Sequence, residues 1–133
     1  MFDWLANPNR FNRITEKIQP YILLIAIISL ISGLYFGLFD SPKDYQQGDA
    51  VRIMYVHVPS AWLASFLYFS LAISCVFYLV WKHPLADLVS SSIAPIGALF
   101  SALTLVTGSL WGKPMWGTWW VWDARLTSML VLF

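Results

Sequence analysis

Five of the chain's eight tryptophans fall within the twelve residues from Trp111 to Trp122. They belong to the stretch WGKPMWGTWWVWDAR, residues 111–125, which we call the Trp-rich segment. Each indole ring carries a large apolar area that is unfavourable to expose to water. A soluble loop could not hold this many rings open to solvent. The sequence therefore predicts that the segment lies in a membrane interface and also forms a platform for a large flat ligand.

Composition places the chain among helical membrane proteins. Of its 133 residues, 59% are hydrophobic and only 11% are charged, and the mean hydropathy is +0.65, which lies outside the range of soluble domains. The formal net charge of +1 gives no indication of a basic surface that binds nucleic acid. The single cysteine, Cys75, excludes a disulfide framework and a thiolate metal site. We predict an all-α, polytopic transmembrane helix bundle.

Hydropathy predicts three full spans and the start of a fourth, because a spanning helix needs about 20 apolar residues. The predicted membrane domain has a lead at 1–20, spans at 21–39, 60–81 and 88–110, a partial span at 124–133, and loops at 40–59 and 111–123. The last apolar run is too short to cross a membrane. We therefore expect that the chain is the front part of a longer protein.

The basic residues set the expected orientation. Lysines and arginines are divided equally between the two sides, four against four. Charges ahead of the first span usually dominate, and Arg10, Arg13 and Lys17 lie there. This predicts a cytoplasmic N-terminus. The loops at 40–59 and 111–123 then share the opposite face of the membrane.

His57 is the candidate metal ligand on that shared face. Pro59 favours the first turn of a helix, so we expect His57 just outside the N-terminal end of the second span. The partial positive charge there favours the neutral imidazole, which is the form that binds metal. Heme needs an axial ligand, apolar walls for the macrocycle and cations for its propionates. An imidazole beside an aromatic platform therefore suits a porphyrin.

The other candidate heme contacts come from the Trp-rich segment, with Arg52 and Lys113 as further cations within reach of the propionates. The predicted contacts are Trp111, Trp116, Trp119, Trp120, Trp122, Asp123 and Arg125. Simpler interpretations stay open. A single histidine near a membrane boundary is more often an interfacial polar residue than a ligand. Some of the tryptophans are explained as an interfacial anchor, and Asp123 is a suitable helix N-cap and ion-pair partner for Arg125.

Two stretches resemble a known family. WGKPMWGTWWVWDARLT, residues 111–127, resembles the tryptophan-rich WWD signature of heme-handling membrane proteins, and the similarity is greatest to the cytochrome c maturation protein C (CcmC) family. RIMYVHVPSAW, residues 52–62, resembles the histidine-bearing segment before that family's second helix. The similarity runs over nearly the whole chain, including the order of helices and loops.

The resemblance implies a protein of the bacterial inner membrane with six transmembrane helices. It implies that the periplasmic Trp-rich segment binds heme b, iron protoporphyrin IX, between two histidines. The first of these matches His57, and the second would lie beyond Phe133. It further implies heme delivery to the heme chaperone CcmE during cytochrome c-type biogenesis, with CcmD and the ATP-driven transporter CcmA–CcmB as partners, and contact with membrane lipid.

Two other classes of function can be compared with heme delivery. In one, the protein is a structural subunit of a membrane transporter complex, and the Trp-rich segment is an anchor and docking surface without its own heme site. In the other, it is a membrane enzyme. The sequence offers no nucleophile–base pair, no pair of carboxylates inside a span and no nucleotide-binding loop. We therefore predict that the protein is not an enzyme.

Overall fold

The structure is a computed structural model that describes residues 8–133, with side chains from Arg10 onward. The first seven residues of the predicted lead lie outside the described part. Within this described part, four α-helices follow one another: α1 (Pro8–Tyr35), α2 (Val51–Trp81), α3 (Pro84–Trp116) and α4 (Ala124–Leu132). A π-helical stretch, Phe36–Asp40, continues α1.

Three of these helices, α1, α2 and α3, are long and apolar enough to cross a membrane. The fourth is too short to do so, with nine residues. The prediction of an all-α, polytopic bundle with three full spans and a short fourth helix is confirmed. The protein is a multi-pass membrane protein.

Helices α1 and α2 run through a proline and start earlier than their predicted spans. Helix α2 begins at Val51 instead of residue 60, and Pro59 lies in its interior. Helix α1 similarly runs through Pro20. Proline is tolerated inside membrane helices because neighbouring groups can satisfy the backbone carbonyl that it leaves without a donor. The apolar turn ahead of Pro59 therefore extends the helix.

Helix α3 is also longer than its predicted span. It begins with Pro84 in its first turn, where the missing N–H costs nothing. It continues past residue 110 through Pro114 and ends at Gly117, which adopts φ +77° and donates its N–H to the carbonyl oxygen of Lys113. This left-handed glycine is a common helix terminator. The non-helical part of the Trp-rich segment is thereby reduced to residues 117–123.

Helices α2 and α3 form an antiparallel pair that contains the buried core. A two-residue link, Lys82 and His83, joins them. The buried residues of both helices are small, and those of α2 are Ser60 and Ala64. The α3 residues concerned are Gly97, Ser101, Thr104, Gly108 and Gly112. Small residues let membrane helices approach closely, which is the main source of their packing energy.

Helix α1 leaves its apolar surface exposed. None of its most apolar eighteen-residue window is buried inside the protein. The π-helical stretch that follows it reaches α2, where a Cβ on Gly37 would lie 3.0 Å from the Cβ of Tyr55. The exposed side chains of α1 are those of a helix that faces lipid.

Asp123 starts helix α4. Its Oδ1 accepts the backbone N–H of Leu126 at 2.8 Å, and its Oδ2 lies 2.6 Å from an Nη of Arg125. The N-cap and ion-pair roles considered for this residue are both present. The N–H of Leu126, and secondarily Arg125, lower the pKa of Asp123 below its ordinary value. At the other end of α4, the hydroxyl of Tyr68 donates to the carbonyl oxygen of Leu132.

Replacing Gly97 by alanine should be tolerated and should raise stability slightly. An added Cβ would lie 3.7 Å from the Cβ of Leu67, which is ordinary contact, and alanine in a helix is favoured over glycine by about 0.5–1 kcal/mol. Gly37→Ala should instead destabilise, because its Cβ would overlap Tyr55. Thermal unfolding in detergent, followed by circular dichroism, measures both. A lower midpoint for Gly97→Ala than for the unaltered protein would contradict the packing described.

Acid should weaken the start of α4. Because the folded state lowers the pKa of Asp123, the cap stabilises the helix above the ordinary pKa, and this stability is lost as the pH falls through the lower folded value. The protection factor of the Leu126 amide, which is its exchange rate relative to the intrinsic rate at the same pH, should therefore fall in acid. In Asp123→Asn, which keeps an acceptor but cannot ionise, this protection factor should not fall. Identical pH profiles for the two proteins would rule the cap's charge out as the cause.

Candidate functional site

One cavity of about 320 Å³ lies between α2, α3 and α4. Four predicted site residues line it: His57 from α2, Trp111 and Trp116 from α3, and Arg125 from α4. The rest of the wall is mainly apolar. It consists of Met54, Ala61, Thr104, Leu105, Gly108, Leu126 and Met129. The structure therefore brings together an imidazole, two indoles and a guanidinium that are far apart in sequence.

His57 lies in the second turn of α2, and the expectation that it precedes the helix is wrong. The early start of α2 places it against α3, where it is half-buried. Its Nδ1 is 3.0 Å from the Oγ1 of Thr107. A side chain on Gly108 would lie 3.2 Å from the Cε1 of the ring, so the absence of a side chain there makes room for the imidazole. The partial charge of a helix terminus fades beyond the first turn. The environment of His57 is therefore defined by Thr107 and by the space at Gly108.

Trp111 and Trp116 belong to the last turns of α3 rather than to a loop. Their rings meet edge to face with centroids 5.2 Å apart. The Nε1 of Trp111 donates to the Oε1 of Gln47 at 2.9 Å. The ring of Trp116 lies close over Gly112, where a Cβ would be 3.2 Å from its Cε3. Both indoles are thus fixed on a rigid helix.

Gln47, the partner of Trp111, belongs to the loop between α1 and α2, and no motif in the sequence marks it as part of the site. This loop is compact. Asp44 and Gly48 exchange backbone hydrogen bonds at 3.2 and 2.9 Å, and Lys43 pairs with Asp49 at 2.7 Å. The hydrogen bond from Lys43 is the main cause that lowers the pKa of Asp49. The Gln47–Trp111 contact therefore fixes the loop at the same end of the bundle as the Trp-rich segment.

Arg125 is the cation of the cavity wall. Its Cζ lies 5.6 Å from the ring centroid of Trp116, within the range of a cation–π contact. The same guanidinium forms the ion pair with Asp123. Arg52, by contrast, lies outside the cavity wall. It donates to the carbonyl oxygen of Ser41 at 3.2 Å, and its Nε is buried with no hydrogen bond among the described residues.

Four predicted site residues lie outside the cavity wall: Trp119, Trp120, Trp122 and Asp123. Trp119 and Trp122 are 54% and 75% exposed. Trp120 packs edge to face on Trp122 at 5.4 Å, and its buried Nε1 has no hydrogen-bond partner within the described chain. Lys113, the other predicted cation, has its Nζ 5.7 Å from the ring centroid of Trp119. The Trp-rich segment thus divides into an inner, cavity-lining part and an outer part.

The chemistry of the cavity is limited to a few groups. Within residues 10–133, no three side chains of histidine, cysteine, aspartate or glutamate come close enough to hold a metal ion. His57 alone offers a ring nitrogen whose lone pair can bind a metal, because the indole nitrogens of the wall can only donate. Arg125 offers the positive charge. Such a cavity can bind a flat, apolar molecule by its faces and edges, and it can contact one metal-bound or anionic part of that molecule.

Comparison with known proteins gives consistent matches. A family model described as "CcmC: Heme exporter protein C" matches residues 1–133. The chain is 53% identical to the heme exporter protein C of Bradyrhizobium diazoefficiens, over 97% of this chain and 49% of that protein. It is 51% identical to the heme exporter protein C of Haemophilus influenzae, over 100% of this chain and 55% of the relative.

A mitochondrial relative matches as well. A putative cytochrome c biosynthesis ccmC-like mitochondrial protein of Marchantia polymorpha is 58% identical over 76% of this chain and 44% of its own length. The chain spans about half the length of the curated relatives that it matches. Because the family model covers residues 1–133, the chain belongs to the heme exporter protein C (CcmC) family.

Proposed function

We propose that this protein binds heme b at the outer face of the bacterial inner membrane and delivers it during cytochrome c-type biogenesis. The observation that carries the proposal is the shared cavity. His57, Trp111, Trp116 and Arg125 come from three helices and line one space. The names of the relatives, heme exporter protein C and a cytochrome c biosynthesis protein, support the same function.

The residues of the cavity fit heme in three respects. The macrocycle supplies four ligands to its iron, so that one protein nitrogen, from His57, suffices as an axial ligand on one side. The indoles of Trp111 and Trp116 offer apolar contact to the ring. Arg125 offers a planar pair of donors to a propionate, and a guanidinium matches a carboxylate well.

The shape of the cavity suits delivery better than permanent storage. Its volume of about 320 Å³ lies at the lower end of the ~300–1,000 Å³ range of small-molecule sites. A bound porphyrin would therefore extend beyond this wall. Trp119 and Trp122, which follow the wall residues in the chain, are exposed and available for further contact. Partial enclosure leaves one edge accessible to an acceptor protein.

The acceptor in this proposal is the heme chaperone CcmE, and CcmD and the transporter CcmA–CcmB assemble with the protein. The exposed tryptophans are suited to contact such a partner, because aromatic side chains are enriched at protein interfaces. The alternative function, a docking subunit without its own heme site, uses this same surface. Heme titration separates the two functions.

Removing the imidazole should weaken heme binding. We expect His57→Ala to shift the Soret band of the purified protein and to lower heme affinity at least about 10-fold, since even changes to groups behind a metal ligand cost that much. Trp111→Ala should weaken binding without removing the axial ligand. Optical titration with heme in detergent measures both effects.

The control for this titration is His83→Ala. His83 is the chain's other histidine, and it lies in the link between α2 and α3, at the opposite end of α2 from His57. Its replacement should leave the spectrum and the affinity unchanged. Equal spectra and affinities for His57→Ala, Trp111→Ala and the unaltered protein would refute heme binding in this cavity. Loss of partner association in Trp119→Ala and Trp122→Ala, without any heme spectrum, would support the docking alternative.

Labelling in intact cells should place the site outside the cytoplasm. In a Cys75→Ser background, Tyr45→Cys in the first loop and Thr118→Cys in the Trp-rich segment should both react with a membrane-impermeant maleimide. Tyr45 is 91% exposed, so access does not limit its labelling. Lys82→Cys, at the other end of α2, should react only after the cells are permeabilised. Labelling of the first two positions from opposite compartments would overturn the proposed site.

A further inference from the structure

Thr107 of α3 forms a hydrogen bond with the imidazole of His57. Its Oγ1 lies 3.0 Å from the Nδ1 of the imidazole. The same oxygen lies 2.6 Å from the carbonyl oxygen of Leu103 and 3.4 Å from that of Thr104. Three partners therefore surround one hydroxyl group.

The single proton of this hydroxyl decides the direction of each bond. A carbonyl oxygen can only accept, and a hydroxyl has one proton to donate. The bond to Leu103 is the shortest of the three, so it holds that proton. The hydroxyl oxygen can then only accept from His57. Nδ1 must be the nitrogen that carries a hydrogen, because a neutral imidazole has one donor nitrogen and one acceptor nitrogen.

We infer that Thr107 is a positioning residue that fixes His57 as the Nδ1-protonated tautomer and leaves the lone pair on Nε2. The backbone carbonyl of Thr104, three residues before Thr107 in α3, is a further hydrogen-bond acceptor for the ring. With the hydrogen on Nδ1, the lone pair on Nε2 is the one available to a metal. That this metal is heme iron rests on the proposed function, whereas the tautomer does not.

The backbone beside Thr107 supports the same assignment. Gly108 follows directly and leaves room for the Cε1 edge of the ring, where a Cβ would approach to 3.2 Å. Thr107 thus binds Nδ1, and the adjacent Gly108 leaves space for Cε1, the carbon between the two ring nitrogens. The imidazole is fixed in orientation as well as in tautomer. Metal-binding histidines commonly donate their second N–H to such a partner, which orients the ring and raises its basicity.

Valine at position 107 has the shape of threonine without the hydroxyl, so it isolates this role. In Thr107→Val, Nδ1 would face a methyl group, and the Nδ1-protonated form would lose its partner. Thr107→Ser keeps the hydroxyl and should keep the tautomer. Ser101→Ala is the matched control, because the Ser101 hydroxyl likewise donates to the carbonyl oxygen four residues earlier in α3 and lies outside the cavity wall.

The test is nitrogen NMR of the heme-free protein labelled with ¹⁵N-histidine, at a pH where the imidazole is neutral. His57 signals are assigned by their loss in His57→Gln. We expect the Nδ1-protonated pattern in the unaltered protein, in Thr107→Ser and in Ser101→Ala, and a population shift toward the Nε2-protonated pattern in Thr107→Val. An Nε2-protonated pattern in the unaltered protein, or no change in Thr107→Val, would overturn the inference.

Heme titration of the same variants distinguishes this inference from the proposed function. Thr107→Val should bind heme about 10- to 100-fold more weakly, and Thr107→Ser should restore affinity. Heme binding that is equal in Thr107→Val and the unaltered protein would overturn the positioning role. If no variant bound heme while the tautomers were as expected, the proposed function would fail and the assignment of Nδ1 would stand.

Discussion

The close approach of α2 and α3 is the constraint on which the site depends. In a membrane, lipid is as apolar as a leucine side chain, so helices associate by packing and hydrogen bonding rather than by the hydrophobic effect. The buried face of α3 supplies small residues for that purpose. At Gly108 the absence of a side chain has a second consequence, because it leaves space for the imidazole of His57 from α2. The same glycine therefore serves both the packing of the helix pair and the placement of His57.

Polar contacts then connect the neighbouring segments to this pair. Gln47 accepts the indole N–H of Trp111, which ties the first loop to α3. Asp123 caps α4 and holds Arg125, and Arg125 in turn lies over Trp116. These contacts attach the first loop and α4 to the end of α3. The cavity thus depends on one rigid helix and several local hydrogen bonds, which favours a fixed wall with an open side.

The sequence predicted the helical class and the three spans, because hydropathy is read directly from residue types. Of the eight residues that it proposed for heme, four line the cavity. It did not predict the helix bounds. Proline in general favours the first turn of a helix, whereas Pro59 lies in the interior of a membrane helix. Consequently the expected position of His57 is ahead of the helix, whereas it lies in the second turn. Gln47 carried no signal, since one polar residue in a polar loop has no distinguishing pattern. The division of the tryptophans was likewise invisible, because it depends on where α3 ends.

That division has a physical basis in the backbone. Trp111 and Trp116 lie on α3, and Gly117 ends the helix with a left-handed conformation. The chain that follows carries Trp119 and Trp122 outside the wall. A protein that delivers a large apolar ligand needs firm contacts for holding it and accessible contacts for the acceptor. Under the proposed function, helical tryptophans provide the first and the non-helical residues 117–123 the second. One glycine at the end of α3 separates these two roles within a single run of sequence.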